Sequence, residues 1–181
     1  MMTDWRKGLE FISLWKPTHL LLGNHDQRLY DLAENDSKGI EQDYAFKGVQ
    51  ELEARLDKHK TEWLPYHKRS VFQFGHMKCL HGYYHGMSAA RSHALTYGAC
   101  LFGHTHTIDE YAIPGLERRV ARGAGCLCKT DMHYNSRTPS SMRHANGFIL
   151  GTYNEKTGDY WTFQAEEINK TWVIPEKLKT L

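Results

Sequence analysis

The sequence predicts an α/β protein with mixed sheets, and three observations carry the prediction. A helical stripe near the start runs into an apolar strand, Leu20 to Leu22. That run and two others, Met77 to Leu80 and Ala99 to Phe102, each deliver a loop containing glycine and histidine. Beyond Thr107 the texture changes to short strand-like pieces between Gly, Pro and Asn turns, which reads as mainly antiparallel sheet. The length of 181 residues is that of one domain, residues 1–181, and 40% hydrophobic with 24% charged residues is a globular balance with a sizeable core.

Taken in order, residues 4 to 15 place Trp5, Leu9, Ile12 and Trp15 at helical spacing, with Thr3 or Asp4 as cap and Pro17 as terminator. Helix, strand and the Gly23-Asn24-His25-Asp26 loop then make half of a parallel αβ unit, and ligands collect beyond the carboxyl ends of such strands. Gln27 to Tyr66 reads as a charged helical layer with Val49, Leu52, Leu56 and Trp63 on or near one face, breaks at Gly39 and Gly48, and Pro65 as its end. Ser70 to Phe74 and Met77 to Leu80 are two short strands around Gly75-His76. A helix from Ser88 to Tyr97, ended by Gly98, precedes the strand Ala99 to Phe102. The pieces Ile108 to Ile113, Arg118 to Arg122, Phe148 to Tyr153 and Tyr160 to Ala165 complete the antiparallel half.

The net charge of +2 is spread over mixed charges, with Arg118-Arg119 and Lys68-Arg69 as tight basic pairs, and is too weak to argue nucleic-acid binding. Cys79 and Cys100 lie in apolar runs, so buried free thiols are expected rather than a disulfide framework. Cys126-x-Cys128 lacks the two-residue spacer and second pair of a structural zinc site, and is not taken as a ligand pair. With no apolar stretch near 18 residues and no basic-then-apolar leader, a soluble cytoplasmic protein is expected.

The strand-end groups Asn24-His25, His81 and His104-x-His106 would meet at one edge of a parallel sheet. Imidazole nitrogens and an amide oxygen are good donors to Zn, Mn or Fe, and flanking glycines let the backbone come close. Histidines elsewhere, such as His19, His59, His67 and His93, are read as ordinary polar side chains. Gly23-Asn24-His25-Asp26, His81-Gly82 and Gly103-His104-Thr105-His106, in that order and each after an apolar strand, resemble the last three of five signature motifs of calcineurin-like metallophosphoesterases. The likeness covers roughly residues 9 to 107 and implies a four-layer α/β/β/α sandwich with mixed sheets. It further implies that Asn24, His81 and His104 bind one metal ion and His106 another. His25 becomes the catalytic histidine, which contacts the phosphate or protonates the leaving oxygen, and Asp26 orients it. The implied reaction is hydrolysis of a phosphomonoester or phosphodiester by metal-bound water. An adjacent carboxylate raises an imidazole pKa, as a general acid requires, and two ions about 3.5 to 4 Å apart stabilise charge on phosphoryl oxygens.

The first two family motifs, Asp-x-His and Gly-Asp-x-x-Asp, are absent before residue 23, so the chain is expected to lack the first βαβ elements and to be N-terminally incomplete. An upstream segment lost to a misplaced start codon or a trimmed chain is the simplest explanation, with Met1-Met2 an internal site. Asp131-Met132-His133 with Gly158-Asp159 mimics the missing motifs in permuted order, but residues 155 to 159 read as a polar hairpin turn and position 162 is Thr. Four neutral ligands cannot offset two divalent ions, so at most one tightly held metal is expected, through Asn24, His81 and His104. Unpaired sheet edges invite self-association. Arg118, Arg119 and Arg122 with the aromatic tail admit a nuclease-like role. Tyr83, Tyr84, His85 and Arg137 are candidates near the cleft, without an assigned substrate contact. The alternative class is a truncated, catalytically impaired remnant acting as a binding or structural protein.

Overall fold

A computed structural model describes residues 2–35, 39–116, 119–130 and 143–174. The chain is α/β, with mixed sheets, and divides into two compact units, Met1–Ser70 and Val71–Leu181. Among the described residues no helix is long and apolar enough to cross a membrane.

In the first unit, α1 (Met2–Trp15) leads to β1 (His19–Leu21), followed by α2 (Asn24–Ala33), α3 (Ile40–His59) and β2 (Glu62–Leu64). Leu9, Leu22, Leu52 and Leu56 form the core, with Trp5, Ile12, Leu20 and Trp63 packed against it. Each fully buried leucine contributes about 1.5–3 kcal/mol. Trp15, expected on the buried stripe, is exposed and stacks on Phe11. At 100° per residue it has rotated to the edge of the stripe that Trp5, Leu9 and Ile12 define. Gly39 breaks the helical layer as expected, but Gly48 does not. Gly48 is buried inside α3, where a Cβ would stand 3.3 Å from Leu29, so its lack of a side chain lets α2 pack close.

The strand β2 lies within the stretch read as helical. It pairs in parallel with β1, His19 opposite Glu62 and Leu21 opposite Leu64. Lys60 turns the chain out of α3 in the left-handed region (φ 54°), and the Thr61 hydroxyl donates to the Pro17 carbonyl at 2.7 Å. Three residues are too few for a strand period to show against a helical background.

The second unit holds β3 (Phe72–Phe74), β4 (Met77–Leu80), α4 (Ala89–Tyr97), β5 (Cys100–Phe102), β6 (Ile108–Ile113) and β7 (Arg119–Ala124). These strands form one sheet in the order β3-β4-β5-β7-β6. β4, β5 and β7 run parallel at its centre, while β3 and β6 pair antiparallel at its edges. Ala90 and Ala94 of α4 pack on Leu80, Cys100, Phe102 and Ala121. A second sheet, antiparallel throughout, joins β8 (Gly147–Tyr153), β9 (Tyr160–Ile168) and β10 (Thr171–Val173). The Gln164 amide fastens the two sheets by donating to the Ala124 carbonyl of β7 at 3.1 Å and the Phe148 carbonyl of β8 at 3.2 Å.

Candidate metal centre

The first motif is the opening turn of a helix rather than a free loop. Gly23 caps α2 in extended conformation, Asn24 and His25 start its first turn, and His25 is exposed. The Gly23 N–H donates to the Asp26 carboxylate at 2.7 Å, which satisfies an otherwise unpaired helix N-terminus and sets a negative charge where the helix dipole favours it. This engagement commits the carboxylate expected to orient His25 to the backbone of Gly23.

The second and third motifs meet as expected. Leu80 stands opposite Phe102 in the parallel β4–β5 pair, so both strands release their next residues at the same edge. The Gly103 N–H donates to the His81 carbonyl at 2.8 Å, and the His81 and His104 rings lie 5.4 Å apart at 67°. β1 belongs to the two-stranded sheet with β2, so the single sheet edge foreseen for all three motifs is shared by two of them. His104 (φ 62°) and His106 (φ 57°) both hold left-handed backbone, which costs about 1–2 kcal/mol for a residue with a Cβ and is tolerated where function demands a particular projection.

Beneath this edge lies a residue whose part the sequence did not disclose. His93 of α4 is fully buried and stacks on Phe102 with ring centroids 4.0 Å apart. Its Nδ1 faces the Ala89 carbonyl at 2.8 Å, while Nε2 receives the Tyr83 N–H at 3.0 Å. Nδ1 therefore carries the proton and Nε2 accepts, a neutral form that burial favours by lowering the pKa. His93 thus pins the chain just after His81-Gly82. Gly82 (φ 107°) has to be glycine there, since a Cβ would stand 3.1 Å from the His104 Cβ and 3.2 Å from the His93 Nε2.

A second cluster surrounds His106. The ligand atoms of His106, Cys126 and Cys128 all lie within 4.8 Å of one another, with the Cys128 Sγ 3.9 Å from the His106 Nδ1. The ring of His144 lies 5.2 Å from that of His106, and its Nδ1 is buried without a hydrogen-bond partner. Long-range pairing builds this cluster: Cys126 bridges to Asn146, and the Ala145 N–H donates to the His106 carbonyl at 2.9 Å. The Asn146 amide donates to the Cys128 carbonyl at 2.7 Å and the Cys126 carbonyl at 3.2 Å, fixing the turn between the two cysteines. Burial and the neighbouring Cys126 push the Cys128 thiol up to about 11. All four cysteines are free, as expected, and the fold brings Cys126 and Cys128 beside His106, a juxtaposition their spacing alone does not disclose.

The other sequence candidates are more ordinary. Arg122 is held by Glu110, to which its Nε donates at 2.8 Å, and by the Thr162 hydroxyl at 3.1 Å. Tyr84 closes a hydrogen bond with Thr96 at 2.9 Å and packs edge-on against His93, while His85 is exposed. Residues 155–159 are the β8–β9 hairpin turn, as read, with the Asn154 side chain accepting from the Lys156 N–H. Arg118, Asp131, His133 and Arg137 lie outside the described residues. A cleft of about 770 Å³, lined by Lys78, Gly98, Arg119 and Tyr160, sits at the opposite ends of the parallel strands from the histidines. Donor chemistry, not cleft size, therefore marks the candidate site. Compared with protein-family models, with curated proteins and with solved structures, the chain matches none.

Proposed function

We propose that the chain is a metal-dependent phosphoesterase of the calcineurin-like kind, acting on a phosphomonoester or phosphodiester, with a fold related to the four-layer sandwich of that family. The observation that supports this reading most is the His81–His104 pair at the ends of two adjacent parallel strands, with Gly82 and a buried His93 fixing the chain just after His81. Imidazole nitrogens so disposed fit a divalent ion such as Mn, Zn or Fe. Such ions supply an activated water and offset the charge that builds on the phosphoryl oxygens. The chain's own roles are then Asn24, His81 and His104 as ligands of one ion, and His25, exposed at the start of α2, as proton donor to the leaving oxygen. Asp26 keeps the first turn of α2 closed through Gly23 and so sets the backbone from which His25 projects.

A second reading, a catalytically impaired member of the same fold serving as a binding protein, draws on one observation. Asp26 is the sole carboxylate in the three motifs and is engaged by a backbone N–H. Hydrolysis of a chromogenic phosphodiester with manganese decides between them. The enzyme reading expects turnover that falls by about 10²–10⁴-fold in His25→Ala, the usual worth of a general acid. A folded, manganese-binding chain without turnover would establish the second reading instead.

A further inference from the structure

We infer that His106, Cys126 and Cys128, with His144 as fourth donor, form a zinc site of sulfur and nitrogen ligands. Three features carry this. The first is the donor geometry. Tetrahedral zinc, with Zn–S near 2.3 Å and Zn–N near 2.0 Å, sets its sulfur and nitrogen ligands about 3.5 Å apart. The Cys128 Sγ and His106 Nδ1 stand 3.9 Å apart, and all three donors fall within 4.8 Å of one another, so these three lie close to the spacing one ion requires.

The second feature is an unused donor. The His144 Nδ1 is buried without a partner, which costs about 1–3 kcal/mol unless something satisfies it. Its ring stands 5.2 Å from that of His106, which brings it beside the three donors. The third is the support around the donors. Backbone hydrogen bonds join His106 to Ala145 and Ala145 to Cys126, and Asn146 binds both cysteine carbonyls while its Nδ2 stands 3.9 Å from the Cys126 Sγ. An amide donor beside a sulfur stabilises thiolate, and such outer partners commonly tune affinity 10–100-fold.

The sulfur site also balances its own charge. Binding releases two thiol protons, one each from Cys126 and Cys128, and forms two Zn–S bonds whose thiolate charges cancel the two positive charges of the ion. No other anionic donor is required. His81 and His104 form a separate, all-nitrogen pair, so the sulfur site stands or falls without the phosphoesterase reading.

Cobalt(II) titration of the reduced full chain tests the site, because thiolate ligation gives a near-ultraviolet charge-transfer band that nitrogen and oxygen ligation lacks. One equivalent of cobalt should produce the band, and zinc should displace it. Cys126→Ser and Cys128→Ser should each weaken binding on the order of 100-fold and diminish the band, and the double variant should abolish it. Asn146→Ala should keep the band and weaken binding about 10-fold. Cys79→Ser, in β4, should change nothing, and His81→Ala should lose manganese-dependent turnover yet keep the band. Circular dichroism identifies any variant that fails to fold; Asn146→Ala and His144→Ala, which retain both thiols, then carry the test through affinity. No band in the folded wild type, or a band that survives in the double variant, would overturn the site. A Cys126–Cys128 disulfide that persists under reductant and excludes cobalt would overturn it too.

Discussion

Two corners of the second unit hold histidines at strand ends, and they are built differently. At the His81–His104 corner, adjacent parallel strands bring the rings together, and a buried histidine and a glycine hold the turn from below. At the His106 corner, the donors come from three separated stretches joined by the Cys126–Asn146 bridge and by the hydrogen bond between Ala145 and His106. The first corner offers neutral imidazole nitrogen, suited to a borderline divalent ion. The second offers thiols, suited to an ion held for long periods. A histidine count would treat the two as one site, whereas donor type separates them.

The largest expected effect separates the corners by backbone. Gly125 has φ 80°, and an added Cβ would stand 2.8 Å from the Ala145 carbonyl oxygen and 3.1 Å from the Gly147 nitrogen. Gly125→Ala should therefore cost about 3 kcal/mol in urea unfolding, combining left-handed strain with a clash against backbone that cannot step aside. It should also weaken cobalt binding at the sulfur corner and leave manganese affinity at the histidine corner near that of the wild type. A variant with full stability and an unchanged cobalt band would break the distinction. Gly82→Ala is the mirror experiment, at about 2 kcal/mol, because its nearest clashes are with side chains rather than backbone. Here manganese-dependent turnover should fall and the cobalt band persist.

Acid should reach the histidine corner through His93. Burial lowers its folded-state pKa below the ordinary 6.5, so above pH 6.5 both folded and unfolded states carry it neutral and its contribution is complete. As pH falls below 6.5 the unfolded chain takes up the proton first, and stability declines until the folded-state pKa is reached. The slope from this one group is at most about 1.4 kcal/mol per pH unit. Urea midpoints at pH 7.5 and 5.5 should differ less in His93→Phe, which retains the stacking on Phe102 but cannot titrate. An equal difference in both proteins would remove His93 as the source.

How much of this was legible in the sequence follows from the range of each interaction. The His81–His104 corner was readable because apolar runs followed by glycine and histidine are local patterns, and parallel pairing of β4 with β5 needs one crossover helix, itself visible from Ser88 to Gly98. The class of the fold was readable for the same reason. β2 was hidden because three residues between a left-handed Lys60 and Pro65 carry no period of their own. Trp15 was misplaced because a large apolar side chain at the last turn of α1 fits the stripe in spacing but not in angle. His93 looked like one polar residue on an alanine-rich helix; only the approach of the Tyr83 backbone gives it a task. Cys126 and Cys128 were set aside on spacing, a rule suited to zinc knuckles. Their partners His106 and His144 lie about twenty residues away on either side, beyond any local motif.

X-ray absorption at the zinc edge of the reduced, zinc-loaded chain tests the contrast between the two corners most directly, since it reads donor identity without reference to turnover. With one zinc per chain, two sulfur neighbours at about 2.3 Å and nitrogen neighbours at about 2.0–2.1 Å are predicted. A shell of nitrogen and oxygen alone would contradict the account.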